Sequence, residues 1–133
     1  MVDAISNALS GLQSAGIRAG VSANNIANLQ TVGAKTPDRG PAAYVPQDVV
    51  ATAIPAGGVA THVQDRAPAT VTAYDPDHPY ADDQGAVDVP NINLETEIVN
   101  LKIAEIAYKA SANVIKTARA MQDDLLKTFD EKA

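Results

Sequence analysis

The chain has 133 residues, a net charge of −6 and no cysteine. There is room for one modest domain, and neither a disulfide framework nor a thiolate metal site can be built. No basic stripe speaks for nucleic acid, and no apolar run approaches the ~20 residues of a membrane-spanning helix.

All eight prolines lie between Pro37 and Pro90. This divides the chain into an assembly helix over 1–36, a Pro-rich β insert over 37–90 and a second assembly helix over 91–133. Charge follows the same division. The first segment carries Asp3 against Arg18 and Lys35, whereas the insert carries Asp38, Asp48, Asp65, Asp75, Asp77, Asp82, Asp83 and Asp88 against Arg39 and Arg66. The insert thus holds nearly all of the net charge and is expected to be the solvated part. The predicted fold class is mainly α with a small β insert: two long terminal helices pair as a coiled coil, joined by a Pro-rich segment containing a β-hairpin.

In the first segment Val2, Ile5, Leu9, Leu12, Gly16, Ala19, Ala23 and Ile26 follow alternating steps of three and four, the spacing of a coiled-coil seam. Half of that seam is small, and each of Gly11, Gly16 and Gly20 costs a helix about 1 kcal/mol relative to alanine. The segment is therefore expected to order only when packed. Asn24, Asn25 and Asn28 cluster near its end, poor for helix propensity but rich in donors and acceptors for specific contacts. Gly33 and Pro37 lie beyond.

The insert reads as short strands. Val49–Ile54 is rich in β-branched residues, Pro55-Ala56-Gly57-Gly58 suits a reversal, and Val59, Thr61 and Val63 alternate with Ala60, His62 and Gln64. Val71–Tyr74 adds another strand, so one or two small hairpins are expected.

The last helix starts more clearly. Pro90 blocks a helix upstream, Asn93 is a good N-cap, and Glu95 and Glu97 complement the positive end of the dipole. Leu94, Ile98, Leu101, Ala104, Tyr108, Ala112 and Ile115 mark one face, continued by Ala118, Met121, Leu125 and Phe129. Some 35 residues would span about 50 Å, a rod-like element.

Candidate chemistry is sparse. Asp75-Pro-Asp-His-Pro-Tyr-Ala-Asp-Asp83 offers oxygens and an imidazole, but Tyr80 stands where a calcium loop of the EF-hand type needs glycine, and proline and aspartate are ordinary turn formers. His62 and His78 have no partner at a recognisable catalytic spacing. No enzyme, cofactor or metal site is expected.

Two terminal signatures resemble the axial proteins of the bacterial flagellum. One is Ala8-Leu9-Ser-Gly-Leu12 leading to Ser22-Ala-Asn-Asn-Ile-Ala-Asn28 and Thr31-Val-Gly33. The other is Pro90-Asn-Ile-Asn-Leu-Glu-Thr-Glu-Ile-Val-Asn-Leu101, continuing through Ala107-Tyr108-Lys-Ala110 and Asn113-Val-Ile-Lys-Thr-Ala118 to Met121. Tyr74-Asp-Pro-Asp-His-Pro79, Ala81-Asp82, Gly85, Val87 and Pro90-Asn91 are similar to the C-type (FlgC-like) proximal rod proteins of the flagellar basal body.

That resemblance implies a structural subunit of the rod, exported unfolded through the flagellar type III apparatus without a cleaved signal peptide. It would assemble helically with itself and other rod proteins in the periplasm, near the junction with the MS ring. Ile5, Leu9, Leu12, Ala19, Ala23, Ile26, Leu94, Ile98, Leu101, Tyr108, Ile115, Ala118, Met121 and Leu125 are then expected to carry the packing. Asn24, Asn25, Asn28, Asn91 and Asn93 are expected to fix register or helix ends. Deleting residues 1–30 should abolish rod assembly and motility while leaving the insert folded. The alternatives are another axial rod component, or a small ion-binding helical module.

Overall fold

A computed structural model describes residues 2–130. It consists of α1 (Val2–Ala27), a 3₁₀ turn at Pro37–Arg39, β1 (Gln47–Ala53), β2 (Val59–Asp65), β3 (Thr70–Tyr74), β4 (Ala86–Pro90) and α2 (Leu94–Asp130). The architecture is mainly helical with two small antiparallel sheets.

The two helices lie side by side and antiparallel. Ala4 shares a surface with Ala118, Gly11 meets Ser111, and Ala19 lies near Leu101, so the numbers fall along α2 as they rise along α1. The contact is made of small side chains. Ala8, Ala15 and Ser22 on α1, and Ala104 and Ala118 on α2, are all buried, and a Cβ added to Gly11 would sit 2.9 Å from the Ser111 hydroxyl. Small residues let the backbones approach closely but remove little apolar area from water. The intrachain seam is consequently offset from the one expected on α1: Leu9 is 47% exposed, Ala23 is exposed too, and Gly16 borders an open groove instead of a packed contact.

The helices differ in length. At 1.5 Å per residue, the 26 residues of α1 reach about 39 Å and the 37 of α2 about 55 Å. With Ala4 opposite Ala118, the last turns of α2 run on past the start of α1. At its other end α2 opens as the sequence suggests, the Asn93 side chain accepting the Thr96 N–H at 2.8 Å.

β1 and β2 form a hairpin in register from Gln47↔Asp65 to Ala53↔Val59. Its reversal uses Pro55 in a turn closed by Gly57 N–H donating to Ile54 C=O at 2.9 Å. Gly57 and Gly58 follow with φ of 96° and 85°, a region that side chains avoid. The hairpin lies along α1: its open end meets Asn25, and its tip sits against Asn7 and Ser10.

β3 and β4 form a second hairpin from Thr70↔Pro90 to Tyr74↔Ala86. The sequence reading stops at Tyr74 and misses β4, although Val87 and Val89 flank Asp88 with the required alternation. Pro90 fits because it closes the strand, where a missing ladder donor is tolerated. Gly33 extends this sheet, exchanging both backbone hydrogen bonds with Asp88. A methyl at Gly33 would lie on the backbone of Ala42 and Ala43, so only glycine fits this crossing.

Candidate assembly surface and its buried junction

The end of α1, the start of β1 and the first turn of α2 meet in a buried polar junction. Asn25 is fully buried and satisfied on every side. Its amide donates to Gln47 C=O at 2.9 Å and its carbonyl accepts Gln47 N–H at 3.1 Å, so the side chain pairs with β1 as a neighbouring strand would. The same carbonyl accepts the Tyr44 hydroxyl at 3.1 Å, and the amide also reaches Glu97 Oε1 at 3.1 Å.

Glu97 completes the junction. It is 1% exposed, and its Oε1 accepts from Arg66 Nη2 at 2.8 Å. Arg66 also binds Asp48 Oδ1 through Nε and Nη2, at 3.0 and 2.7 Å, and donates Nη1 to Asn91 C=O at 2.9 Å. The Asp48 hydrogen bond chiefly, with help from Glu97, holds the Arg66 guanidinium above its usual range. Burial raises the Tyr44 hydroxyl, helped by the Glu97 charge. Charge-assisted pairs of this kind fix geometry because leaving one partner buried alone is costly.

Neither Glu97 nor Arg66 is singled out by sequence; Glu97 reads there only as a first-turn acid. The available signal is that Glu97 precedes Leu101, Ala104, Tyr108, Ser111, Ile115 and Ala118 in one unbroken three-and-four series. An acid at the head of an apolar seam needs a buried cation, and Arg66 is one of two arginines in the insert.

The remaining asparagines have varied surroundings. Asn28 closes α1, its amide donating to Asn24 C=O at 3.0 Å and its carbonyl accepting the Thr31 hydroxyl at 3.1 Å. Asn91 ties the end of β4 to Pro68 C=O at 3.0 Å. The Asn24 side chain is exposed. Asn25 and Ser10 of α1 hold the two ends of the first hairpin.

Of the apolar residues expected to pack, Ala118 is buried, and Ile5, Leu12, Ala19, Ile26, Leu101 and Ile115 are half-buried. Leu9, Ala23, Leu94, Ile98, Tyr108, Met121 and Leu125 are exposed. Ala15, Gly16 and Ala19 face Ile98, Leu101, Ala104 and Tyr108 across an open groove of about 640 Å³. Elsewhere on α2, Val99 and Ile106 stand on the side opposite the seam, and Ile103, Val114 and Met121 are exposed along a flank bordering α1, with Ile106 60% exposed. A helix apolar on several sides belongs in an interior; within this chain, α2 is covered along one side only.

The acidic loop between β3 and β4 is bound up in its own turn. Asp82 Oδ1 accepts Gln84 N–H at 2.8 Å and Ala86 N–H at 2.9 Å, and these bonds, Ala86 first, lower its carboxyl below the usual range. His78 Nδ1 accepts Tyr80 N–H at 3.2 Å. Among the described residues, no group of three or more His, Asp or Glu gathers as a metal site. No helix among them is long and apolar enough to cross a membrane.

Residues 83–128 match the family model for the C-terminal region of the flagellar basal body rod FlgEFG proteins. The flagellar basal-body rod protein FlgC of Borreliella burgdorferi is 32% identical, across 91% of this chain and 92% of that protein. The chain belongs to the FlgC family of flagellar basal-body rod proteins. FlgC proteins of Escherichia coli O6:H1 and Salmonella typhimurium are each 34% identical, across 84% of this chain and 83% of theirs. FlgC membership gives the chain a structural role in the basal-body rod, with motility as its context. The motif residues that the resemblance rests on have physical work in this fold: Asn25 pairs with β1, and Gly33 permits a backbone crossing.

Proposed function

We propose that this FlgC-family chain polymerises through its terminal helices, with copies of itself and other rod proteins, into the periplasm-spanning drive shaft that transmits torque. The observation that carries this is the unburied aliphatic surface of α2. Ile98, Ile103, Ile106, Met121, Leu125 and Leu126 are each about half exposed or more. Fully burying such a side chain is worth about 1.5–3 kcal/mol, and a neighbouring helix would recover the part that is still exposed.

In this reading segments 1–36 and 91–133 are the assembly machinery, pairing as a short coiled coil, and 37–90 is the insert that braces them. Leu9, Ile98, Tyr108, Met121 and Leu125 carry contacts between subunits, in head-to-tail arrangements that need not close. A weakly self-sufficient α1 suits passage unfolded through the export apparatus without a cleaved signal, followed by ordering among neighbours near the MS ring. The subunit performs no chemistry of its own.

The test is a pair of charges placed where α2 runs past α1. Leu125→Asp with Leu126→Asp should leave the helical circular dichroism of the purified chain unchanged while abolishing swimming and recovery of the chain in basal bodies. Wild-type swimming and incorporation by this variant would sink the reading.

A further inference from the structure

We infer that a polar cleft between α1, β1 and α2 binds a short extended segment of a partner chain, recognised through its main chain. The inference is independent of how α2 meets its neighbours.

The cleft follows from the arrangement of three elements. α1 packs against both α2 and the first hairpin, while the backbones of α2 and β1 do not approach each other. The space left beside α1 is about 240 Å³, floored by Arg18, Val21 and Ser22. Gln47, Asp48 and Val49 form one wall, Glu97, Asn100 and Ile103 the other, and Arg66 borders it too.

Two nearly buried side chains aim unpartnered oxygens into this space. Glu97 is 1% exposed, and the hydrogen bonds it accepts from Asn25 and Arg66 both end on Oε1. Ser22 is 4% exposed, and its hydroxyl has no partner among the described residues. No side-chain nitrogen or oxygen among those residues is both fully buried and unpartnered. Glu97 Oε2 and Ser22 Oγ are therefore open to solvent, and the cleft is the opening that both residues line.

β1 adds a main-chain donor and acceptor. The Gln47 N–H and C=O both bond Asn25, so they face away from β2, and by the alternation of an antiparallel ladder those of Val49 do too. Asn25 thus occupies one rung of this edge as a strand would. At the next rung, Val49 lines the cleft, and its N–H and C=O have no partner among the described residues.

Charge selects the occupant. Arg18 and Arg66 face Asp48 and Glu97 across the cleft, so its formal charge is already balanced and a bare ion would be left uncompensated. Arg18 forms no ion pair among the described residues. The fitting group is neutral, donates to Glu97 Oε2 and accepts from Arg18. A peptide unit carries one donor and one acceptor, and main-chain pairing with a sheet edge is a recurring mode of peptide recognition. At about 3.3 Å per residue, two or three residues span one rung, which suits so small a cleft.

Proline at position 49 removes the Val49 donor and no bond of the hairpin ladder, because that N–H points outward. Purified Val49→Pro should melt within about 5 °C of the wild-type chain. Val50→Pro, which deletes a ladder bond to His62, should melt well below it. In cells lacking the native gene, recovery of Val49→Pro in basal bodies should fall about tenfold. Asn100→Trp fills the cleft from an exposed position, and it should fold and be excluded similarly. Wild-type recovery of either variant in folded form would refute the inference.

Hydrogen exchange gives a readout that needs no variant, and it decides the matter if Val49→Pro misfolds. The Val49 amide should exchange rapidly in the purified chain and about tenfold more slowly in basal bodies. Ala53, which points the same way but lies outside the cleft, should change much less. Unchanged exchange at Val49 would mean that the cleft holds only water, and equal slowing at Ala53 would mean general burial; either result overturns the inference.

Discussion

The two helices are built for different surroundings. α1 is covered twice, by α2 through Ala8, Gly11 and Ala15 and by the first hairpin through Ser10 and Asn25. α2 is covered along one side and leaves Val99, Ile103, Ile106, Val114 and Met121 to solvent. The helix with weaker intrinsic propensity is thus the one more fully covered inside the chain, although Leu9 and Ile17 stay exposed. The stronger helix former, begun by a clean Asn93 cap, holds its aliphatics in reserve. An element that stands without its full burial can wait for a partner; one made of glycine and alanine cannot.

The sharpest way to break this contrast is to remove what fixes α1. Glu97→Ala deletes the acceptor shared by Asn25 and Arg66 and should cost about 3 kcal/mol, the lower end for losing one member of a buried ion pair. The lower end is appropriate because Arg66 keeps Asp48 and the Asn91 carbonyl. Urea unfolding followed by circular dichroism measures it, with the hairpin and α1 expected to loosen together. A loss under about 1 kcal/mol would mean that the junction does not hold them.

A smaller effect separates the two sides of α2. Ala104 is 1% exposed against α1, so Ala104→Leu should overpack the seam and cost about 1–3 kcal/mol. Ile106→Ser, on the open side, should change the stability of the purified chain by no more than about 0.5 kcal/mol. Its effect belongs to assembly, and swimming should fail although the subunit folds. Equal destabilisation by the two substitutions would erase the distinction between the sides.

Much of this contrast could be read from sequence, and the part that could not has a physical cause. The proline-free flanks gave the helices, Asn93 gave the α2 start, and Pro55-Ala56-Gly57-Gly58 gave the hairpin turn, because each depends on local backbone preferences. The choice of seam on α1 did not follow. Hydrophobic spacing selects Leu9 and Leu12, yet close approach of two backbones selects Ala8, Gly11 and Ala15, and size outweighs hydropathy at that contact. The spacing of the α2 seam places Glu97 on the inner face, but its pairing with Arg66, 31 residues away, is decided by tertiary placement. β4 escaped because Asp88 and Pro90 look like loop residues until Thr70 and Thr72 supply a partner strand.

The mildest test concerns charge along α2 itself. Glu105 lies on the rim of the groove between Lys102 and Lys109, binding one lysine within a turn on either side. The Lys102 hydrogen bond first, then that of Lys109, lowers its carboxyl from the ordinary 4.5 to about 2. Because the folded chain holds this proton more weakly than the unfolded one, the triad's stabilising contribution is complete above pH 4.5 and fades as pH falls towards 2. All three groups are solvated, so the effect on folding is small and salt weakens it further. Carboxyl NMR should place the Glu105 midpoint near 2, and Lys102→Ala should move it up towards 4.5. Since these ion pairs run along α2 and not across to α1, Lys102→Ala should leave the helix pairing unchanged. Joint loss of the α1 signals would show that charge, and not close packing of small residues, holds the two helices together.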